Sequence, residues 1–506
     1  MQKASELKKR ERLFIKAINS RADIFGLTGR FDSAISDHET VLDFFANSKL
    51  KGYQEIPEAL IKISFIICEG KYDYRKAIKK AEQALCSIDK KRDLRIYAHG
   101  LNALGSIHLR MGNYDKTLRC FHDALEACMR LNDEKCIGTI SNNIGLVNIE
   151  KGELDTALEY LKKDLSLCEK REDTQGIGQV SFNIGNVYFY KGELDTALKY
   201  YMKDLAICRD MGDKQGIGMG SGNIGNVYTV KGDLERALEH YQTYLAISEE
   251  IGDQRGAGAA SNGIGLICLR KGDMDTALRY YKTDLSICER IGNKRGVALE
   301  NSNIGEIHLA KGAIEEALHC FQRSRSLYRK IGDQRGIGTG HFDIAKIHME
   351  RGELCESEEL LIKAEGIFRD IGENVRLSEV YASMSELKRM QNESVEAIRN
   401  ATSSLILAKE IGAHHQELLS LRALGMAMLE RDPGKALSYL KQSVALSKKE
   451  HRPLELARSK LAMGQAMLRM KGKRSAARKT IREAASLFQN MGARLWREKA
   501  EKLLKQ

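Results

Sequence analysis

Proline is nearly missing from this chain: three in 506 residues, at Pro57, Pro433 and Pro453. Little therefore interrupts long helices, and no serine- or glycine-rich tract offers a flexible linker. No apolar run reaches the eighteen or so residues that a membrane span requires. The opening MQKASELKKRERLF lacks the apolar centre of a signal peptide, so the expectation is a cytoplasmic protein with no membrane span. There is no Gly-Lys-Ser/Thr phosphate loop, no paired-histidine zinc motif and no nucleophile elbow. GSGNIG at 220–225 imitates a dinucleotide-binding loop, but no strand precedes it, and the preceding repeat puts Val180 and Phe182 in two of its glycine slots. Neither an enzyme nor a cofactor is expected.

Glycine, in contrast, is abundant and regular. Gly112, Gly152, Gly192, Gly232, Gly272, Gly312 and Gly352 stand forty residues apart, amid recurring phrases such as KGELDTALEY at 151–160 and KGELDTALKY at 191–200. A fixed period of this size describes an array of one small unit. Within 176–215, Ile177, Val180, Ile184, Val187 and Tyr188 have the spacing of one helical face. Gly192 ends that helix, and Leu194, Ala197, Leu198, Tyr201, Leu205 and Cys208 mark a second. Asp213 is placed to cap the next. Each unit thus reads as two antiparallel helices, with Gly185 and Ala197 at the positions where only small side chains permit close approach. One hairpin cannot cover its own apolar faces, so stability must come from stacking.

Ile184, Gly185 and Tyr188, followed by Ala197 and Tyr201, resemble the signature of the tetratricopeptide repeat. The forty-residue period is similar to that of Pins-type scaffolds, kinesin light chain and bacterial regulators of the Rap type, although the usual closing proline is absent. The resemblance implies an all-α, right-handed α-solenoid of about twelve hairpins with a C-terminal capping helix. It divides the chain into divergent hairpins over 1–100, a regular array over 101–355, divergent hairpins over 356–432, and basic hairpins with the capping helix over 433–506. Weaker turns near Gly29, Gly70, Asn392, Pro433 and Gly472 continue the period.

Eleven cysteines partly follow the repeat. Cys128, Cys168, Cys208 and Cys288 share one register with Ser248, as packing residues in a reducing compartment would. The first helix also carries a stripe opposite its packing face: Gln179, Asn183, Asn186 and Tyr190, spaced i, i+4, i+7, i+11. Its asparagine recurs as Asn143, Asn183, Asn223 and Asn303, with Asn226 repeating Asn186. An amide both donates and accepts, so a ladder of them suits the backbone of an extended peptide. The resemblance puts the first helices on the concave surface, which makes this stripe the expected peptide-binding groove. The alternative is that these amides are solvated or bond neighbouring hairpins.

Arg255, Arg295 and Arg335 form a second ladder that could meet an acidic ligand at the rim, unless Asp253 and Asp333 two residues earlier neutralise it. Asp164, Asp204 and Asp284 make an acidic ladder on the second helix, either a groove wall or solvated charge. The net charge of +12 lies entirely at the C-terminal end, where 433–506 holds 19 Lys and Arg against five Asp and Glu. Arg474, Arg478, Lys479 and Arg482 are a solvated face in the plainest reading, but could bind an anion there, with an acidic protein or, less readily for want of aromatic side chains, nucleic acid or a membrane surface as partner. Two functions are expected from different classes. One is an adaptor that holds an extended segment of a partner protein. The other is a signalling or transcription-regulatory sensor whose basic end touches nucleic acid or an acidic effector. The sequence sets no oligomeric state.

Overall fold

The structure, a computed structural model, describes residues 2–27, 30–47, 54–68, 73–90 and 92–505. The expected turns at Gly29 and Gly70 lie outside the described residues. Among those described there are 25 α-helices and no strand. They fall into two compact units, Met1–Met211 and Gly212–Gln506.

The first unit holds α1 (Gln2–Leu27), α2 (Phe31–Asn47), α3 (Glu55–Ile66), α4 (Tyr74–Ser87), α5 (Leu94–Arg110), α6 (Tyr114–Arg130), α7 (Glu134–Lys151), α8 (Leu154–Lys170), α9 (Thr174–Tyr190) and α10 (Leu194–Met211). The second holds α11 (Lys214–Lys231), α12 (Leu234–Ile251), α13 (Gln254–Lys271), α14 (Met274–Arg290), α15 (Lys294–Lys311), α16 (Ile314–Ile331), α17 (Gln334–Arg351), α18 (Leu354–Asp370), α19 (Asn374–Met390), α20 (Ser394–Glu410), α21 (His414–Ala427), α22 (Pro433–Lys449), α23 (Pro453–Leu468), α24 (Arg474–Asn490) and α25 (Arg494–Leu504). Odd and even helices pair into twelve hairpins, each packed on the next within its unit, and α25 is the unpaired capping helix.

The local chemistry is that of the repeat. Aspartates at the N-cap accept from the backbone N–H three residues on, as Asp173 does from Gly176 at 2.9 Å and Asp213 from Gly216 at 3.0 Å. Gly152 and Gly232 close their helices at φ 79° and 81°, where a side chain would be strained. The small residue in the first helix faces a large one in the second. A Cβ on Gly185 would stand 2.7 Å from the Tyr201 ring, and one on Gly265 equally close to Tyr281. These tyrosines are buried, so the glycine series is a steric requirement of the hairpin seam. GSGNIG has the same explanation: it lies inside α11, with Gly222 against Tyr244 and Gly225 against Tyr241.

Two sequence expectations need correction. Cys168, Cys208 and Cys288 are buried thiols, in a register that Tyr328 and Phe368 continue, as packing residues should be. Cys128, however, forms a disulfide with Cys136 across the turn from α6 to α7. Other repeats have glycine at the position of Cys136, and a Cβ on Gly176 would already stand 2.8 Å from Cys168 Sγ. A cysteine in that slot therefore meets its neighbour. Asp164, Asp204 and Asp284, for their part, are neither a groove wall nor solvated. They are buried, and the thiols of Cys168, Cys208 and Cys288 donate to them from one turn on, at 3.5, 3.7 and 3.3 Å. Gly138, Gly178 and Gly258 in the facing helix leave room for these carboxyl groups.

Candidate functional site

The asparagine stripe is used differently from one repeat to the next. In the first unit the Asn143 amide donates to Asn102 at 2.8 Å, and that of Asn183 to Asn142 at 2.9 Å. Both bonds join consecutive hairpins, and Asn183 is only 6% exposed. Asn186 accepts from the Tyr201 hydroxyl at 2.7 Å, while Tyr190 at the end of the stripe is 64% exposed. In the second unit Asn226 is exposed and accepts from Tyr241 at 2.6 Å. Asn223 is half-buried and within 3.5 Å of the Asn226 amide. The Asn303 amide points at the Glu300 carboxyl, 3.4 Å away.

The arginine ladder reaches forward. Arg295 approaches Asp333 at 3.4 Å and Arg335 approaches Glu373 at 2.9 Å, each the N-cap residue of the next hairpin. Arg335 makes no ion pair with Asp333 two residues before it, whose carboxylate is turned in to cap its own helix by accepting from Gly336, and the residue two before Arg295 is the uncharged Asn293, which caps in the same way. Arg255 is exposed on α13.

In the second unit the chain turns back on itself. α25 packs against α15 and α23 against α13, and one continuous apolar cluster joins Met274, Tyr281, Ile304 and Ile307 to Leu461, Ile481, Phe488 and Met491. Met491 lies over the α13–α14 turn, where a Cβ on Gly272 would meet it at 2.7 Å. Lys499 of α25 bonds Glu350 of α17 at 2.6 Å. Beside this contact lies a partly open cavity of about 630 Å³ lined by the first helices of successive hairpins and by α25, with a second of about 410 Å³ sharing much of its wall. The stripe's positions, carried forward along the repeat, face this space: Lys346 and Glu350 on α17; Glu379, Ser383, Glu386 and Met390 on α19; Leu419, Ala423 and Met426 on α21.

The wall is a network of paired charges. Glu306 and Asp343 flank Lys346, the latter at 3.0 Å. Arg376 meets Glu379 at 2.8 Å, and Glu455 is held by Arg422 and, at 3.1 Å, by Arg458. Burial pushes the Asp343 carboxyl up to about 6, although Lys346 opposes it. Burial also works against the charge on Glu455, but Arg422 and Arg458 outweigh it and hold that carboxyl far below the usual range. His415 is lowered to about 4 by burial, with the charge of Arg452 adding to it, and is neutral at pH 7. Trp496 completes the wall, its ring 4.3 Å from the Arg458 guanidinium and 4.4 Å from the Lys499 ammonium.

Residues 97–170 match a tetratricopeptide-repeat family model, and 172–332 match a model of the MalT-like TPR region. Residues 97–170 and 172–332 are thus tetratricopeptide repeats. Among solved structures, the quorum sensor NprR from B. thuringiensis is similar over 71% of this chain and 99% of its own, at 16% identity and a TM-score of 0.51. Aspartyl phosphate phosphatase F from Bacillus subtilis is similar over 73% of this chain and 97% of its own, at 14% identity and a TM-score of 0.49. Identities this low speak for fold alone. No curated protein matches the sequence.

What sequence reasoning missed in this tetratricopeptide array is the charged wall. Its signal was present: the register of Asn186 and Asn226 continues as Glu306, Lys346 and Glu386, and that of Asn183 as Asp343 and Ser383. The basic cluster lies elsewhere. Ala477, Ile481, Ala484 and Phe488 form the buried face of α24, and Arg474, Lys479 and Arg482 are exposed, with Arg478 half-buried, away from the cavity lining. No group of His, Cys, Asp and Glu among the described residues could hold a metal, and no helix there is long and apolar enough to cross a membrane.

Proposed function

We propose that this protein is a non-enzymatic interaction module of the sensor type, which takes a short extended peptide into the cavity of the second unit. One observation carries this reading: the stripe of the first helices, at the positions expected to face a ligand, lines a partly open cavity of about 630 Å³. That volume suits a small ligand or a few extended residues, not a folded domain. Trp496 on the wall, the sole tryptophan, supplies the test. Peptide binding should shift its emission and slow hydrogen exchange in α19, α21 and α25. Saturable binding with protection confined to other helices would refute the assignment.

A second reading has its own support, the 64% exposure of Tyr190 in the first unit and the exposed Asn226 in the second. Under it, the chain is an adaptor whose stripe residues contact a partner's extended segment. Tyr190→Ala should then weaken partner capture with little change in melting temperature, since exposed substitutions shift stability by about 0.5 kcal/mol or less, whereas Asn226→Ala should weaken capture and also lower the melting temperature, because the buried Tyr241 hydroxyl loses its acceptor. Capture unaffected by either would set this reading aside.

A further inference from the structure

The cavity's ion pairs do not balance. Glu306, Glu350, Glu379 and Glu455 each have a cationic partner. Among the described residues, no ion pair or hydrogen bond is made by the side chains of two cations of the wall, Arg389 on α19 and Lys502 on α25, or of one carboxylate, Glu386. A positive charge is therefore left over. The orphaned nitrogens agree with it. Arg389 Nε and Arg458 Nε are buried N–H donors with no acceptor, and His415 Nδ1 is likewise unpartnered. A guanidinium has no acceptor of its own and cannot reverse its role. A buried donor left unsatisfied costs about 1–3 kcal/mol, and the two guanidinium donors on one wall concentrate that cost where a ligand would lie.

We propose that the cavity selects an acidic peptide, one carboxylate of which is held by Arg389 and Lys502 with the free Nε of Arg458 beside them. The assignment rests on the reading of this cavity as a peptide site and adds its charge preference. A carboxylate suits this donor set, because its two oxygens accept from a guanidinium and a further donor together. Glu386, three residues before Arg389 on the same helix, repels a second anionic group there. It thereby favours a ligand with one carboxylate at this point over a polyanion.

The full-length chain is titrated with two pentapeptide mixtures, degenerate except at the centre, where one carries Glu and the other Gln; Trp496 emission and calorimetry report binding. Free glutamate and inorganic phosphate form separate arms. The Glu mixture should bind at least tenfold more tightly than the Gln mixture. Arg389→Gln should remove that advantage and leave the melting temperature unchanged, since Arg389 has no ion pair to lose. Arg458 is unsuitable for this test because it also holds Glu455. Equal binding of the two mixtures, or a Glu advantage that survives Arg389→Gln, overturns the charge assignment while the peptide site stands. No binding of either mixture overturns both. Free glutamate or phosphate binding as tightly as the Glu mixture would show a small-anion site and overturn the peptide part.

Discussion

The same helical stripe is built from amides in the first unit and from charges in the second. In α7 and α9 it presents Asn143, Asn183 and Asn186, whose polar atoms are used by neighbouring hairpins or by the tyrosine of their own. In α15, α17 and α19 the equivalent positions hold Glu306, Lys346 and Glu386 on the wall of a partly open cavity, with the buried Asp343 paired to Lys346 behind it. Neutral amides are the cheaper way to join hairpins, because desolvating an ion pair costs about as much as its attraction returns. A wall of charges is thus a poor investment in stability alone. The contrast teaches that identical repeats can divide their labour, with stacking served by amides and the chamber by charge.

The largest expected effect breaks the charged side of this contrast. Glu455→Ala leaves Arg422 and Arg458 facing each other without their shared carboxylate, and both Arg422 and Glu455 side chains are only 13% exposed. Removing one partner of a buried pair costs roughly 3–5 kcal/mol. In denaturant, protection in α19–α25 should therefore be lost well before that in α5–α9, as read by hydrogen exchange. Uniform loss across both units would mean that the chamber has no separate energetic identity.

The hairpins themselves were legible because their signals are local. Gly185 against Tyr201, the N-cap aspartates and the positive-φ glycines each state their role within forty residues. The stripe was legible as a face for the same reason. The charge of the chamber was not, since Lys346 takes meaning from Glu306 on the preceding hairpin, and Glu350 from Lys499, 149 residues away. Closure of α25 on α15 is likewise a long-range event with no periodic signature. The buried aspartates were misread because a carboxylate on an otherwise polar helix face looks solvated until the glycines opposite it are seen.

A smaller effect sharpens the contrast through pH. Glu300 on α15 is fully buried, and burial, with the neighbouring Asp284 charge adding, pushes its carboxyl up to about 8. Asn262 and Asn303 donate to it and temper the rise. The folded state therefore keeps a proton that the unfolded chain releases near pH 4.5. Stability of the second unit should be greatest near or below that value, fall as pH rises toward about 8, and level off beyond. Glu300→Gln, which is neutral throughout, should flatten this slope. Melting temperatures collected from pH 5 to pH 9 for both proteins decide it; parallel curves would remove Glu300 as the cause.

The mildest effect concerns the amide side. Asn183 and Asn142 form one neutral hydrogen bond, 2.9 Å long, between consecutive hairpins. Bonds of this kind contribute about 0.5–1.5 kcal/mol net, and the buried partner left behind by a single change should cost as much again. Asn183→Ala and Asn142→Ala are therefore expected to be individually harmful and less than additive together, with a coupling near 1 kcal/mol in a double-mutant cycle. Additive losses would mean that the two amides act independently, and the ladder in the first unit would then lose its role as a clasp. The same pair separates stacking from recognition: with Asn183 only 6% exposed, its replacement should lower stability before it touches any partner.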